Sequence, residues 1–243
     1  MRDVSHRGEA DTHFWVVGAG GLGCPALLGL LGAGARRITV IDHDRVETHN
    51  LQRQVLYSVA DVGARKAEAA AFALRLRAPN IEVDARVEKL DTDSLAQLIA
   101  DAGSHAVVLE CTDSPDLKFA ANDAGLRYDT PVVIAAALGW AGQAIAVHRA
   151  HACYRCIYEA PPAATAVPSC EEAGVLGAGV GLLGFIAAHL AVTLANDPTQ
   201  HAPCGSLHRI DLLSGTARRF QPAPRPSCPG PHTVVPRASA ASS

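Results

Sequence analysis

The sequence predicts an α/β fold of Rossmann-like type: a mostly parallel sheet covered by helices, with antiparallel strands at its C-terminal end. Three observations carry that prediction. "FWVVGAGGLGCP", Phe14 to Pro25, runs from an apolar stretch through a glycine turn into a helix-forming stretch. Strand-like and helix-like segments then alternate as far as Trp140, the pattern of a parallel sheet with both faces covered. After Trp140 the alternation gives way to strand pairs and a cysteine-bearing loop. With 243 residues, 49% apolar and 19% charged, the chain suits one such domain over residues 1–243.

The elements follow in order. "HFWVVGAG" reads as the first strand and "GCPALLGLLGAG" as the helix after it. "RRITVIDHD" is a second strand ending in acids, and "VGARKAEAAAFALRLRAP" a helix of strong formers closed by Pro79. "IEVDARVEKL" alternates as a strand does, and "DTDSLAQLIADAG" opens on an Asp/Thr cap and ends at a glycine. "HAVVLECTD" is a buried strand, "SPDLKFAANDAGLRYD" a helix and "TPVVIAAALG" the next strand. Beyond Trp140, "GQAIAVHR" reads as an antiparallel edge strand, and "LHRIDLLSGTARRFQP" as a closing strand pair. The stretch rich in Pro, Ser and Ala at 233–243 is expected to be a disordered tail.

Composition removes several classes. A net charge of −3 without a basic run gives no support for a nucleic-acid partner. The polar opening "MRDVSHRGEADTH" is not a signal peptide. Seven cysteines, an odd number, favour a reducing, cytoplasmic setting in which thiols serve as metal ligands or nucleophiles. "VLGAGVGLLGFIAAHLAVTLA", Val175 to Ala195, is long enough for a membrane span. Its central His189, and its run of glycines and alanines, instead read as a helix buried in a large core or packed across a dimer interface. No membrane partner is expected.

The chemistry begins at the turn. Gly18, Gly20 and Gly23 fit the G-x-G-x-x-G spacing, with Gly21 between them, and Asp42 follows at the end of the second strand. Backbone N–H groups at a helix start bind phosphate, and a carboxylate at the second strand can bond ribose hydroxyls. Taken alone this is the fingerprint of an NAD or FAD site. "NLQRQ" and "GARK" argue otherwise. They place Arg53 and Lys66 on consecutive connections beside the turn, where a triphosphate wants a guanidinium fork and an ammonium point charge. Asp113, followed by Ser114, ends the strand "VVLECTD" at the carboxyl edge of the sheet, and a carboxylate there can hold Mg²⁺. Together these residues ask for ATP. Cys153 and Cys156 form a C-x-x-C pair, half of a structural zinc site, while Cys24 and Cys111 read as small core residues.

"GAGGLGCP", "ID-D", "NLQRQ", "G-x-x-K", "CTDS", "CYRC" and "CEEAGVLG" occur in an order and at spacings that resemble the MoeB/ThiF/HesA adenylyltransferases, bacterial relatives of ubiquitin-activating enzymes. The resemblance covers about Phe14 to Phe220. It implies ATP-dependent adenylation of the C-terminal Gly-Gly carboxylate of a ubiquitin-like sulfur-carrier protein, within an ATP-binding Rossmann-like fold. It implies roles as well: Gly21 and Arg53 on phosphates, Lys66 on the phosphoryl centre, Asp42 on ribose and Asp113 on Mg²⁺. Asn50 and Gln54 complete the polar wall, and Ser114 joins the nucleotide contacts. Cys170 matches a family cysteine on a loop over the adenylate that in some members links covalently to the carrier; the alternative is a thiol with no catalytic part.

Family members also carry a second C-x-x-C near the C-terminus. Here "SCPGPHT" keeps Cys228 but has Pro231 three residues later, leaving His232, or Cys204 from elsewhere, as candidate fourth ligand to a structural Zn²⁺. The resemblance implies a homodimer in which an N-terminal arginine helix enters the partner's site. Only Arg2 and Arg7 precede Phe14, and no R-Y-x-R-Q-like stretch is present. A separate protein is expected to donate the sulfur. The rival readings are a binding scaffold of the same fold, adenylation of a peptide C-terminus and, leaving "NLQRQ" unexplained, an NAD(P) oxidoreductase.

Overall fold

The computed structural model of the chain describes residues 12–103, 105–162, 174–196 and 203–230. Strand β1 (His13–Val17) sends Phe14 and Val16 to one side of the sheet and Trp15 and Val17 to the other, as a period of two requires, and all four are buried. The same holds for β2 (Arg37–Ile41) and β4 (Ala106–Glu110), so these strands must lie inside a sheet with both faces covered. The remaining strands are β3 (Glu82–Arg86), β5 (Val132–Leu138), β6 (Ala141–Val147), β7 (Leu207–Asp211) and β8 (Thr216–Phe220). They form one sheet of order β3-β2-β1-β4-β5-β6-β7-β8, parallel from β3 to β5 and antiparallel from β5 to β8.

Helices α1 (Gly23–Gly32) and α2 (Lys66–Arg77) cover one face, and α3 (Thr92–Ala102) and α4 (Pro115–Tyr128) the other. Their ends follow local chemistry. Asp91 caps α3 by accepting the Ser94 N–H at 2.8 Å, while Ser94 Oγ accepts the Asp91 N–H at 2.8 Å, a closed capping box. Ser114 caps α4, with Pro115 in the first turn, and α4 ends at Asp129 in the left-handed region at φ 57°. A four-residue turn, α5 (Tyr154–Ile157), follows β6.

"GQAIAVHR" departs from its expected place. β6 is not an edge strand, because the β7–β8 hairpin pairs onto its free side; Ala144 to Val147 are buried there, and β8 is the edge. The long apolar helix α6 (Gly177–Asn196) has a mean hydropathy of 1.9 and the length of a membrane span, but half of that stretch is buried in the fold. Val180, Leu183, Ala187, Leu190, Ala191 and Leu194 make its buried stripe, at helical spacing. α6 lies against α1 with small residues at the crossing. A Cβ on Gly184 would stand 2.5 Å from the Leu22 carbonyl oxygen, and one on Gly29 2.6 Å from the Ala188 Cβ.

Candidate active site

The strand order places the site. β1 is flanked by β2 on one side and β4 on the other, so the loops leaving β1 and β4 diverge to opposite faces and open a crevice at the carboxyl edge. The turn after β1 fills the floor of that crevice. Gly18 has φ +91°, and a Cβ on it would lie 3.0 Å from the Cys111 carbonyl carbon and the Thr112 nitrogen. Gly23 admits no side chain either, since its Cβ would sit 1.9 Å from the Gly18 carbonyl oxygen. Backbone therefore meets backbone across the two loops, as a phosphate cradle requires.

Asp42 is buried beneath the turn. Its Oδ2 accepts the Ala19 N–H at 2.7 Å and its Oδ1 the Asp44 N–H at 2.8 Å. A carboxylate has further lone pairs, so this use leaves acceptor capacity for a ribose hydroxyl. Tyr57 supports the turn from the other side: its hydroxyl lies 2.7 Å from the Ala19 carbonyl oxygen and 3.1 Å from that of Lys66. Burial holds its phenol far above the ordinary range, so it stays a neutral donor. The Lys66 side chain is buried, and its Nζ donates to Asp44 Oδ2 at 2.9 Å. Burial raises the Asp44 carboxyl, but the Lys66 hydrogen bond and charge outweigh it and hold the group below its usual value.

The "NLQRQ" turn closes the crevice from above. Asn50 is its hub: Oδ1 accepts from Gln54 Nε2 at 2.7 Å and from Arg53 Nη2 at 3.2 Å. Arg53 also donates to the His49 carbonyl at 3.3 Å, and its stem packs on Gly21, where a Cβ would lie 3.6 Å from Arg53 Cδ. Gln54 faces Gly20, and its Oε1 is buried with no hydrogen-bond partner. A buried orphan acceptor costs stability, and beside a phosphate cradle a nucleotide hydroxyl or amine would satisfy it. On the β4 side the Asp113 carboxylate is exposed and makes no hydrogen bond or ion pair among the described residues. That leaves it open to a hard cation at the rim. Ser114 Oγ accepts the Leu117 N–H at 3.3 Å, which leaves its own proton to donate.

At the far end of the molecule the thiols of Cys153, Cys156 and Cys228 converge within 4.8 Å of one another. The Sγ atoms of Cys153 and Cys156 are 3.8 Å apart, those of Cys153 and Cys228 3.6 Å. The Arg225 N–H points at Cys156 Sγ and the Gly230 N–H at Cys228 Sγ, both at 3.4 Å, as donors that support thiolates. Burial and the neighbouring thiols push Cys153 up to about 12, a crowding that a bound dication would relieve. The donor set fits zinc. Cys204 is buried outside this cluster. Cys170, His232, Arg2, Arg7 and the 233–243 tail lie outside the described residues.

Sequence reasoning missed Asp44, Tyr57 and a buried ion pair under the Asp113 loop, Glu110 with Lys118 at 2.7 Å. An acid ending the otherwise apolar strand "AVVLE" was the available signal for the last.

Known proteins resemble this chain in sequence and in fold. Among curated proteins, the adenylyltransferase and sulfurtransferase UBA4 of Meyerozyma guilliermondii is 43% identical over 170 residues, covering 70% of this chain and 39% of that protein. The adenylyltransferase and sulfurtransferase MOCS3 of Arabidopsis thaliana is 36% identical over 182 residues, covering 74% and 39%. The chain thus spans about two fifths of the length of these relatives. Among solved structures, Escherichia coli MccB with MccA-N7isoASN superposes with a TM-score of 0.80 at 18% identity, over 93% of this chain and 68% of that one. SeMet PaaA gives 0.69 at 19%, over 90% and 66%. These two likenesses establish the fold. A family model described as the ThiF family matches residues 9–230, and the chain belongs to that family.

Proposed function

We propose that this chain adenylates the C-terminal Gly-Gly carboxylate of a ubiquitin-like sulfur-carrier protein, consuming ATP and releasing pyrophosphate. The observation that carries the reading is a glycine turn lying against the Arg53 and Gln54 side chains and against the Cys111–Thr112 backbone that leads to Asp113, whose carboxylate makes no bond among the described residues. The names of the UBA4 and MOCS3 relatives, adenylyltransferase and sulfurtransferase, support it.

The chemistry suits these residues. The attacking carboxylate is ionised at neutral pH, so no general base is needed. Its oxygen bonds the α-phosphorus as the bond to the pyrophosphate oxygen breaks, giving an acyl-adenylate. The barrier is repulsion between anions and charge growing on the leaving group, and oriented cations and N–H donors lower both. Arg53 and the Gly21 N–H bind phosphate oxygens, and Lys66, held rigid by Asp44, faces the phosphoryl centre. Asp42 takes the ribose, and Gln54 Oε1 accepts from the nucleotide. Asp113 would hold Mg²⁺, which supplies neutralising charge to the phosphates when bound. Cys170 acts in the second step only: its thiolate attacks the acyl carbon of the adenylate, AMP leaves, and the carrier is held as a thioester before a separate donor protein delivers sulfur.

Cys153, Cys156 and Cys228, with His232 as fourth ligand, would hold a structural Zn²⁺. The protein works in the cytoplasm, in keeping with six described cysteines that are all free thiols. It acts as a homodimer, a reading supported by Leu182 and Phe185 on the outer side of α6, 43% and 49% exposed. The deciding experiment is ATP–pyrophosphate exchange with recombinant sulfur carriers ending in Gly-Gly. Exchange with such a carrier, lost when its last glycine is removed, is the expected result. Tight NADH binding without an ATP signal in calorimetry would overturn the reading.

A further inference from the structure

We infer that the buried Glu110–Lys118 pair is a positioning device for the metal-holding loop, and that Lys118 sets the orientation of Asp113; this rests on the reading of Asp113 as the Mg²⁺ ligand. Lys118 on α4 is almost fully buried, and Glu110 at the end of β4 is fully buried. The three ammonium protons have three acceptors, each at 2.7 Å: Glu110 Oε2, the Thr112 carbonyl and the Ala135 carbonyl. Glu110 Oε1 accepts the Thr112 N–H at 2.9 Å and also the Thr112 hydroxyl.

Every polar group of Thr112 is thus tied to this pair: N–H and hydroxyl to the acid, carbonyl to the lysine. The Thr112 carbonyl shares its peptide plane with the Asp113 nitrogen, and that plane is rigid. Lys118 therefore fixes the direction in which Asp113 leaves the sheet. The third bond, to Ala135 on β5, ties the arrangement to the neighbouring strand, so it cannot turn with the loop. Gly18 rests on the same Cys111–Thr112 backbone, which puts the clamp directly beneath the meeting point of the two nucleotide loops.

Energetics argue that the pair is there for geometry. An ion pair taken wholly out of water gains little over well-packed apolar residues of the same volume, because desolvation offsets the attraction. An apolar pair would serve the core as well. It would not hold three polar groups of one loop residue at once.

Calorimetric titration of ATP, with magnesium and in EDTA, reads the effect without any carrier. Magnesium should tighten ATP binding to the native chain, and Asp113→Asn should lose that gain. Lys118→Met should reduce the magnesium-dependent gain about ten- to a hundredfold while leaving affinity in EDTA unchanged, as loss of an outer-shell partner does. Lys118→Arg should restore most of it. Thr112→Val leaves the buried pair intact and removes the hydroxyl's two bonds, the one to Glu110 and the one from the Ser114 N–H at 3.2 Å, so it tests the clamp even where Lys118→Met fails to fold. It should shift the gain in the same direction, and it decides where the two variants disagree. A native gain in Thr112→Val with Asp113→Asn defective overturns the clamp and leaves the Asp113 reading standing. Equal loss with and without magnesium also overturns it. A native gain in Asp113→Asn overturns both.

Discussion

Lys66 is bonded to Asp44 twice: its Nζ lies 2.9 Å from Asp44 Oδ2, and its backbone N–H donates to the Asp44 carbonyl at 2.9 Å. The double link fixes a nearly buried cation at the start of α2, one peptide bond from a helix N-terminus. Lys66→Ala should lower ATP–pyrophosphate exchange about a hundredfold or more, as removal of a charge-stabilising group does. Asp44→Asn should stay within about tenfold of native, since the neutral amide still accepts from Nζ. Asp44 is ionised at neutral pH with a depressed native pKa, so its contribution to stability is present above its unfolded value and fades below about pH 4. Acid melts of the native chain and Asp44→Asn should converge there.

His13 should give a second pH signature. Its ring packs tilted against Trp15, with centroids 4.8 Å apart, and bonds Thr39 Oγ1 at 2.8 Å. Burial first, then the Arg37 charge, lowers its pKa to about 4. The unfolded chain therefore binds a proton that the folded chain refuses between about pH 6.5 and 4. Stability is complete above 6.5 and falls through that window, by about 1 kcal/mol once solvent screening is allowed for. Thermal melts of His13→Gln should lack this slope.

Tyr57→Phe removes the hydroxyl that holds the Ala19 carbonyl. Denaturant unfolding should show a loss of about 1 kcal/mol, because the carbonyl keeps only the weaker Cys24 Sγ–H donor at 3.3 Å. ATP affinity should fall with it, because the loosened carbonyl belongs to the glycine turn.

Purified without a metal-affinity tag, the protein should carry about one zinc per chain by elemental analysis. Cys228→Ser should lose the metal. It should also expose the 225–230 segment to protease, since Arg225 and Cys228 are what join that segment to α5. Zinc-free native protein would show that the thiols are held by packing alone.

Cys170→Ala should leave pyrophosphate exchange intact and lower thiocarboxylate formation, with loss of a carrier adduct seen by mass spectrometry. Loss of exchange would contradict that division of labour, because adenylation draws on cations and metal rather than on a thiol.

What could be read beforehand follows chain proximity. The glycine turn, Asp42 and Asp113 each lie within a few residues of a strand end, where backbone period and residue type meet, and Arg53 and Lys66 lie on the polar connection that follows β2. The Asp91 cap is legible for the same reason, although its partner is Ser94 rather than the adjacent threonine. Tyr57 reaches Ala19 across 38 residues, and Lys118 reaches Ala135 across 17, contacts that exist only after sheet and helix have packed. β6 was misplaced as an edge because the hairpin that covers it arrives some sixty residues later. Gln54 was recognised as polar wall, but not as an acceptor stranded in the interior.

The crossing of α1 and α6 carries a consequence for sequence change. One residue of helix turns all that follow by about 100°. A deletion ahead of Gly184 would therefore bring Phe185 into the gap beside Leu22 and Pro25, where even a methyl group collides. Gly177, at the head of the same helix, abuts the Gln52 carbonyl and leaves no slack for a compensating slide. Between these two contacts the length of α6 behaves as a quantity that sequence change may not alter.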